Sequence, residues 1–268
     1  MRIVRSVAEV RETLGEPRGR AERIGLVPTM GAFHAGHVAL MRAARETSDV
    51  VVVSLFVNPS QFNASDDLAR YPRDEAADAR VAESEGVDVL FAPAVDDLYP
   101  AGFDTWVEPG ALANVLEGAA RPGHFRGVAT VCAKLFAIVS PGAAWFGQKD
   151  AQQVAVVRRM VADLNLPIEI RVLPTVRDAD GLALSSRNGF LTDAERAVAL
   201  AVPRSLEAGA AAHRRGEDAV GAARRILDAE RDLTVDYVAL ADFGSPTLVA
   251  AARVGTTRLI DNVVLASR

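Results

Sequence analysis

Ile24-Gly25-Leu26-Val27-Pro28-Thr29 is an apolar run of strand length, followed without a linker by Met30-Gly31-Ala32-Phe33-His34-Ala35-Gly36-His37 and then Val38-Ala39-Leu40-Met41. A strand, a glycine turn and a helix start in direct succession constrain the fold strongly, because they demand a buried sheet with a helix laid back upon it. The unpaired amides of a helix's first turn carry about half a positive charge, so the turn reads as a phosphate site. Gly31 and Gly36 let the backbone approach a ligand closely. The spacing of His34 and His37 predicts both imidazoles on one face of the incipient helix, turned to the same phosphates. Two other readings of the pair stay open. One is zinc ligation, although the chain has a single cysteine, only two further histidines and no Glu between the pair. The other is a capping or core role.

The same alternation continues downstream. Residues 50–57 form a β-branched, continuously apolar run that suits a parallel sheet covered on both faces. Further strands are predicted at 87–92, 143–146 and 168–173, and helices at 7–14, 38–47, 73–85, 127–139 and from Gly147 to about 165. The first helix is read as a surface element leading into a first sheet strand at Ile24. Strands and helices at this spacing predict an α/β, doubly wound (Rossmann-like) parallel sheet over 1–174. Ligands bind such sheets beyond the carboxyl ends of the strands, where the topology reverses. Residues 31–37, 58–63 and 147–150 all follow apolar runs, so three polar loops are expected to meet on one edge. Residues 109–127, rich in Gly, Pro and small side chains, are expected to include a mobile loop beside it. Beyond residue 174 the character changes: helices are predicted at 194–214 and 217–230 and strands at 234–240 and 257–265. This is a second, smaller α+β C-terminal domain, 175–268.

Charge and cysteine usage narrow the function classes. The net charge of −5 argues against a generic nucleic-acid binder. Residues 175–268 carry 12 Arg, no Lys and 13 acidic residues, and so offer no excess charge for tRNA. No run approaches the ~18 apolar residues of a membrane helix, and the opening lacks a signal peptide's apolar core. The expectation is a cytoplasmic enzyme. Cys132, the single cysteine, is expected to be a small buried hydrophobe. The acidic residues of 73–85 read mostly as a solvated face. Lys134 and Lys149 are the two lysines among 30 basic residues, and Lys149 stands in the polar run Gly147-Gln148-Lys149-Asp150. Leu184-Ser185-Ser186-Arg187, in a glycine-bounded loop, combines short hydroxyl donors with a guanidinium fork, the chemistry of a phosphate clamp.

His34-Ala35-Gly36-His37 resembles the His-x-Gly-His signature of the nucleotidyltransferase superfamily that includes class I aminoacyl-tRNA synthetases. The longer string from Pro28 to His37 resembles one branch, the pantothenate synthetases (pantoate–β-alanine ligases). Leu184 to Arg187 is similar to that family's Met-Ser-Ser-Arg, with Leu184 in place of Met. The resemblance covers nearly the whole chain. It implies that Met30, Gly31, Ala32, Phe33, His34, Ala35, Gly36 and His37 hold ATP, with His37 as general acid of the nucleotidyl step. It also implies that Gly147, Gln148, Lys149, Asp150, Val176, Leu184, Ser185, Ser186 and Arg187 complete the nucleotide site, with Asn58 and His124 beside it. His34, Lys149 and Arg187 join His37 as catalytic residues, and Gln61 and Gln153 grip pantoate.

The implied reaction joins (R)-pantoate to β-alanine through a pantoyl adenylate, releasing AMP and pyrophosphate. Mg²⁺ is expected as a partner of ATP, with no protein ligand assigned, and Asp78 stays outside the site. Segments 62–71 and 110–126, with the small domain, are expected to act as lids. The resemblance also implies a homodimer. Another nucleotidyltransferase of the superfamily would keep both signatures but has no reason for Gln61 and Gln153, and a nucleotide-binding regulator would show no turnover.

Overall fold

A computed structural model describes residues 1–63 and 65–266, and the chain divides into two compact units, 1–147 with 156–173 and 148–155 with 174–268. In the first unit β1 (Arg2–Val4), β2 (Ile24–Thr29), β3 (Val50–Leu55), β4 (Val89–Phe91), β5 (Ala143–Gly147) and β6 (Glu169–Leu173) form one parallel sheet in the order β1-β4-β3-β2-β5-β6. From β2 the chain builds outward through β3 and β4. It then returns to lay β5 against the opposite side of β2. The strand order therefore reverses beside β2, and the carboxyl ends of β2, β3 and β5 share one edge, as a doubly wound sheet requires.

The apolar runs are strands because both faces of the sheet are covered. The longer helices of this unit are α1 (Val7–Thr13), α2 (Ala35–Thr47), α3 (Glu75–Ser84) and α4 (His124–Val139), together with the part of α5 (Ala151–Asp163) from Val156 onward. On one face Val27, Val51, Val53, Leu90 and Trp145 pack with Leu40, Met41 and Ala44 of α2 and Ala82 of α3. The alternate residues Leu26 and Val52 are equally buried, and α4 lies against β2. The pattern of the sequence does not announce β1. It is an edge strand of three residues with only Val4 buried, too short for any periodicity to register.

In the second unit Asp193–Ala199, α6 (Ala201–Arg214) and α7 (Ala219–Asp228) accompany an antiparallel sheet of β7 (Leu233–Asp242), β8 (Pro246–Val254) and β9 (Thr257–Val264), in that order. The unit departs from the sequence expectation in two places. The helix expected over 194–214 is interrupted at Leu200, because Pro203 has no N–H to donate and its ring crowds the carbonyl of Ala199. The central strand, β8, is absent from the sequence expectation: Ala250, Ala251 and Ala252 favour helix intrinsically, and only their complete burial between neighbouring strands and α6 makes them sheet. Among the described residues no helix is long and apolar enough to cross a membrane.

Cys132 lies buried in α4, and burial pushes its thiol up to about 12. The thiolate is the nucleophile, so at pH 8 the native protein should resist iodoacetamide and label fully only in denaturant. Mass spectrometry showing prompt alkylation of native protein would contradict the packing of this helix.

Candidate active site

The turn after β2 sits at the switch point and is built by a carboxylate. Gly31 and Ala32 are left-handed in succession, with φ of 88° and 53°. For Ala32 this conformation costs about 1–2 kcal/mol. Asp78 of α3, buried beneath the turn, accepts the amides of Ala32 at 2.9 Å and Phe33 at 2.7 Å. Hydrogen bonds to a charged group contribute about 1.5–3 kcal/mol each, which offsets the strain. A side chain at position 31 would be strained at φ 88°, and its Cβ would lie 2.8 Å from Asp78 Oδ2 and 2.7 Å from Leu55, so one of them would have to shift.

The histidines differ from the sequence expectation. His34 is extended, with φ −131° and ψ 176°, and caps α2 instead of belonging to it. Its Nδ1 accepts the Gly36 amide at 3.1 Å, and His37 Nδ1 accepts the His34 amide at 3.3 Å, a reciprocal cap that brings the ring centroids to 4.2 Å. The capping role is therefore real, and it fixes chemistry as well as structure. A ring nitrogen that accepts an amide N–H carries its lone pair there, so each neutral imidazole holds its proton on Nε2. The expectation of open first-turn amides is corrected in part: Gly36 donates to the His34 ring and His37 to His34 O, and the amides of Ala32, Phe33 and His34 before them are engaged by side chains of the same unit. Among the described residues no group of three His, Cys, Asp or Glu side chains could hold a metal, so the pair lacks the further ligands zinc needs.

The segment after β3 forms the second part of this edge. Asn58 and Gln61 are both buried. Asn58 Oδ1 accepts from the Tyr99 hydroxyl at 2.9 Å and Ser60 Oγ at 2.8 Å, so its amide nitrogen donates to Gln61 Oε1 at 3.0 Å and Gly127 O at 3.1 Å. Burial raises the Tyr99 hydroxyl above the ordinary phenol range, keeping it a donor. The chain of bonds leaves Gln61 Nε2 pointing at Met30 Sδ, 3.1 Å away. Sulfur is a weak acceptor, so this buried N–H₂ group is poised to donate to a better one. His124 Nδ1 meets Gln61 O at 2.8 Å, which ties α4 to the same segment.

In the second unit Gln148–Asp150 form a tight turn, and Lys149 Nζ stands 3.6 Å from Asp150. Gln153 is half-buried on the first turn of α5. Leu184 donates its amide to Val176 O at 3.0 Å, Ser185 caps the turn Ser186–Phe190 by accepting the Arg187 amide, and Asn188 donates to Ala183 O. Leu184, Ser185, Ser186 and Arg187 remain partly exposed.

A family model described as pantoate-beta-alanine ligase matches residues 2–264. The chain belongs to that family. A pantothenate synthetase of Moorella thermoacetica is 50% identical over 279 residues, covering 99% of each chain. Pantothenate synthetase 1 of Bradyrhizobium diazoefficiens is 54% identical over 280 residues, covering 99% of this chain and 98% of its own. Among solved structures, pantothenate synthetase from Thermus thermophilus superposes with a TM-score of 0.95 at 44% identity over 100% of both chains. The Francisella tularensis pantoate-beta-alanine ligase, described in complex with β-γ ATP and β-alanine, gives 0.87 at 35% identity over 98% and 97%. The protein is a ligase that forms pantothenate from pantoate and β-alanine, and the full-length match sets aside the other superfamily activities and the regulator without turnover.

Asp78, expected to stay outside the site on a helix whose acidic residues read mostly as a solvated face, is buried beneath it, and Tyr99 had no expected role. For Tyr99 a signal existed, since Asp96-Asp97-Leu98-Tyr99-Pro100 follows a strand as the other site segments do. Replacing Asp78 by alanine should lower stability by about 2–4 kcal/mol in urea titration, because two buried amides lose their acceptor. An unchanged midpoint would show that the left-handed turn holds itself. At Gly127 an added Cβ would lie 2.4 Å from Ser60 O. Gly127→Ala should therefore displace the Asn58–Gln61 segment and lower stability in urea titration by on the order of 1–3 kcal/mol, the usual cost of overpacking.

Proposed function

We propose that pantothenate formation runs through a pantoyl adenylate, with the switch-point histidines, Lys149 and Arg187 acting on the ATP phosphates. In the first step a pantoate carboxylate oxygen bonds to the α-phosphorus as the bond to the pyrophosphate oxygen breaks. In the second, the β-alanine nitrogen bonds to the acyl carbon, the acyl–oxygen bond breaks, AMP leaves, and the nitrogen loses a proton. The first step gathers negative charge on the leaving group, which is where preorganised donors contribute most.

The single observation that carries this reading is the reciprocal cap between the two histidines, in which each Nδ1 accepts a backbone amide. With both Nδ1 atoms accepting amides, His34 and His37 present Nε2–H groups suited to phosphate oxygens. Protonating Nδ1 would break the cap, so His37 serves better as a hydrogen-bond donor than as an imidazolium acid. Gln61 exchanges its sulfur partner for a pantoate oxygen, and Gln153 provides a second amide for the same substrate. Met30 to Phe33, with Ala35 and Gly36, Gly147, Gln148 and Asp150, and Val176 with Leu184 to Ser186, complete the nucleotide contacts in this reading.

Mg²⁺, when bound with ATP, neutralises phosphate charge. The donor set fits an ion carried mainly by the triphosphate and water, because Asp78 is occupied by two amides and no three-ligand cluster stands among the described residues. Residues 62–71 and 110–126 are proposed as lids that keep the adenylate from water. The first contains helix Ser65–Arg70, with Ala64 outside the described residues; the second contains the short helices Ala111–Asn114 and Glu117–Ala120. A cytoplasmic homodimer completes the proposal, and light scattering of the purified protein would report its subunit number.

The decisive assay incubates the protein with ATP, Mg²⁺, pantoate and β-alanine. AMP and pyrophosphate should appear only when pantoate is present. H37A and H37N should both lose turnover by roughly ten- to a thousandfold, while H37N, which keeps a cap acceptor, should melt like the native protein. H37Q, whose amide can reach the Nε2 position, should retain more activity than H37N. Full turnover in H37A would remove the histidine from the chemistry.

A further inference from the structure

Asp261 and Asn262 are consecutive residues of β9, and both are buried, at 3% and 4% exposure. Buried polar side chains in a strand are costly unless fully bonded, and an apolar residue would stabilise the sheet more simply. Successive strand residues face opposite ways, so the two reach different neighbours. Asp261 takes a bidentate contact from Arg177, at 2.6 and 3.0 Å, and Arg177 also donates to Gly181 O at 3.1 Å within the loop that leads to Leu184. Asn262 takes the other side. Its Nδ2 donates to Gln148 O at 2.8 Å and to Lys149 O at 2.9 Å, and its Oδ1 accepts Gln148 Nε2 at 3.2 Å.

Two adjacent carbonyls held by one primary amide fix the path of the Gln148–Asp150 turn, and with it the base of the Lys149 side chain. Only an amide can donate twice and accept once at this position; a carboxylate of the same shape has no hydrogen to offer and would oppose both carbonyl oxygens. We infer that Asn262 is a positioning residue for the reaction with ATP, acting through the Lys149 turn. The inference rests on the reading that Lys149 serves the ATP phosphates. It adds a function to a strand far along the chain from either nucleotide motif.

The test is a double-mutant cycle on the full-length enzyme, with N262A, N262D, K149A and the N262A/K149A pair, read as kcat/KM for ATP alongside the thermal midpoint. N262A should lower kcat/KM for ATP about tenfold with a melting curve that stays cooperative, and N262D, which keeps the shape but not the donors, should lose at least as much. In the K149A background the N262A substitution should cost almost nothing further, because the group it positions is gone. An equal fold-loss in both backgrounds, or an N262D enzyme with native kcat/KM for ATP, would overturn the proposal while leaving Lys149 in place. Native kcat/KM in K149A would instead remove Lys149 from the reaction and this inference with it. Should N262A fail to fold, N262D and the N262D/K149A pair provide the same cycle.

Discussion

A single carboxylate lies under the turn on which the first unit's site is built. Asp78 accepts the successive amides of Ala32 and Phe33 and so holds the left-handed pair Gly31–Ala32, whose backbone would otherwise relax toward an extended or helical path. That turn sets where β2 ends and α2 begins, and hence the plane of both imidazoles. The strain of about 1–2 kcal/mol at Ala32 is smaller than the gain from two charge-assisted bonds of about 1.5–3 kcal/mol each. The arrangement is therefore held from below by α3 and needs no ligand to persist.

The site also depends on polarity being assigned in advance. Amide side chains can present either end, and an imidazole either tautomer. Here each choice is forced by a neighbour whose role is unambiguous. The Tyr99 hydroxyl, kept protonated by burial, sets Asn58, and Asn58 sets Gln61. Backbone amides, which can only donate, set His34 and His37. Fixing donors before the substrate arrives removes a reorganisation cost from the chemical step, the general basis of electrostatic preorganisation. In the second unit the same device recurs, with Asp261 and Asn262 of β9 bracing the Arg177 loop and the Lys149 turn.

Composition and pattern carried much of this. The apolar runs at Ile24, Val50 and Ala143 declared buried parallel strands, because runs apolar on both faces have nowhere else to go. Their order with the intervening helices gave the doubly wound sheet. The histidine and Leu184–Arg187 strings named the family's chemistry, and Cys132 showed its inert, buried character in its neighbours. β1 and β8 were not legible: three residues at an edge show no period, and a run of alanines is sheet only by virtue of what covers it.

What the sequence alone determined is which chemical groups are available and roughly which strand ends deliver them, since periodicity and turn residues are local properties. The tertiary structure decided how those groups are used. Asp78 beneath the turn, Tyr99 behind Asn58, and Asn262 against the Lys149 carbonyl join residues far apart in the chain, and no local pattern records such a contact. Hydrogen-bond direction belongs to the same class, because the end an amide or imidazole presents is set by the partner that folding brings to it.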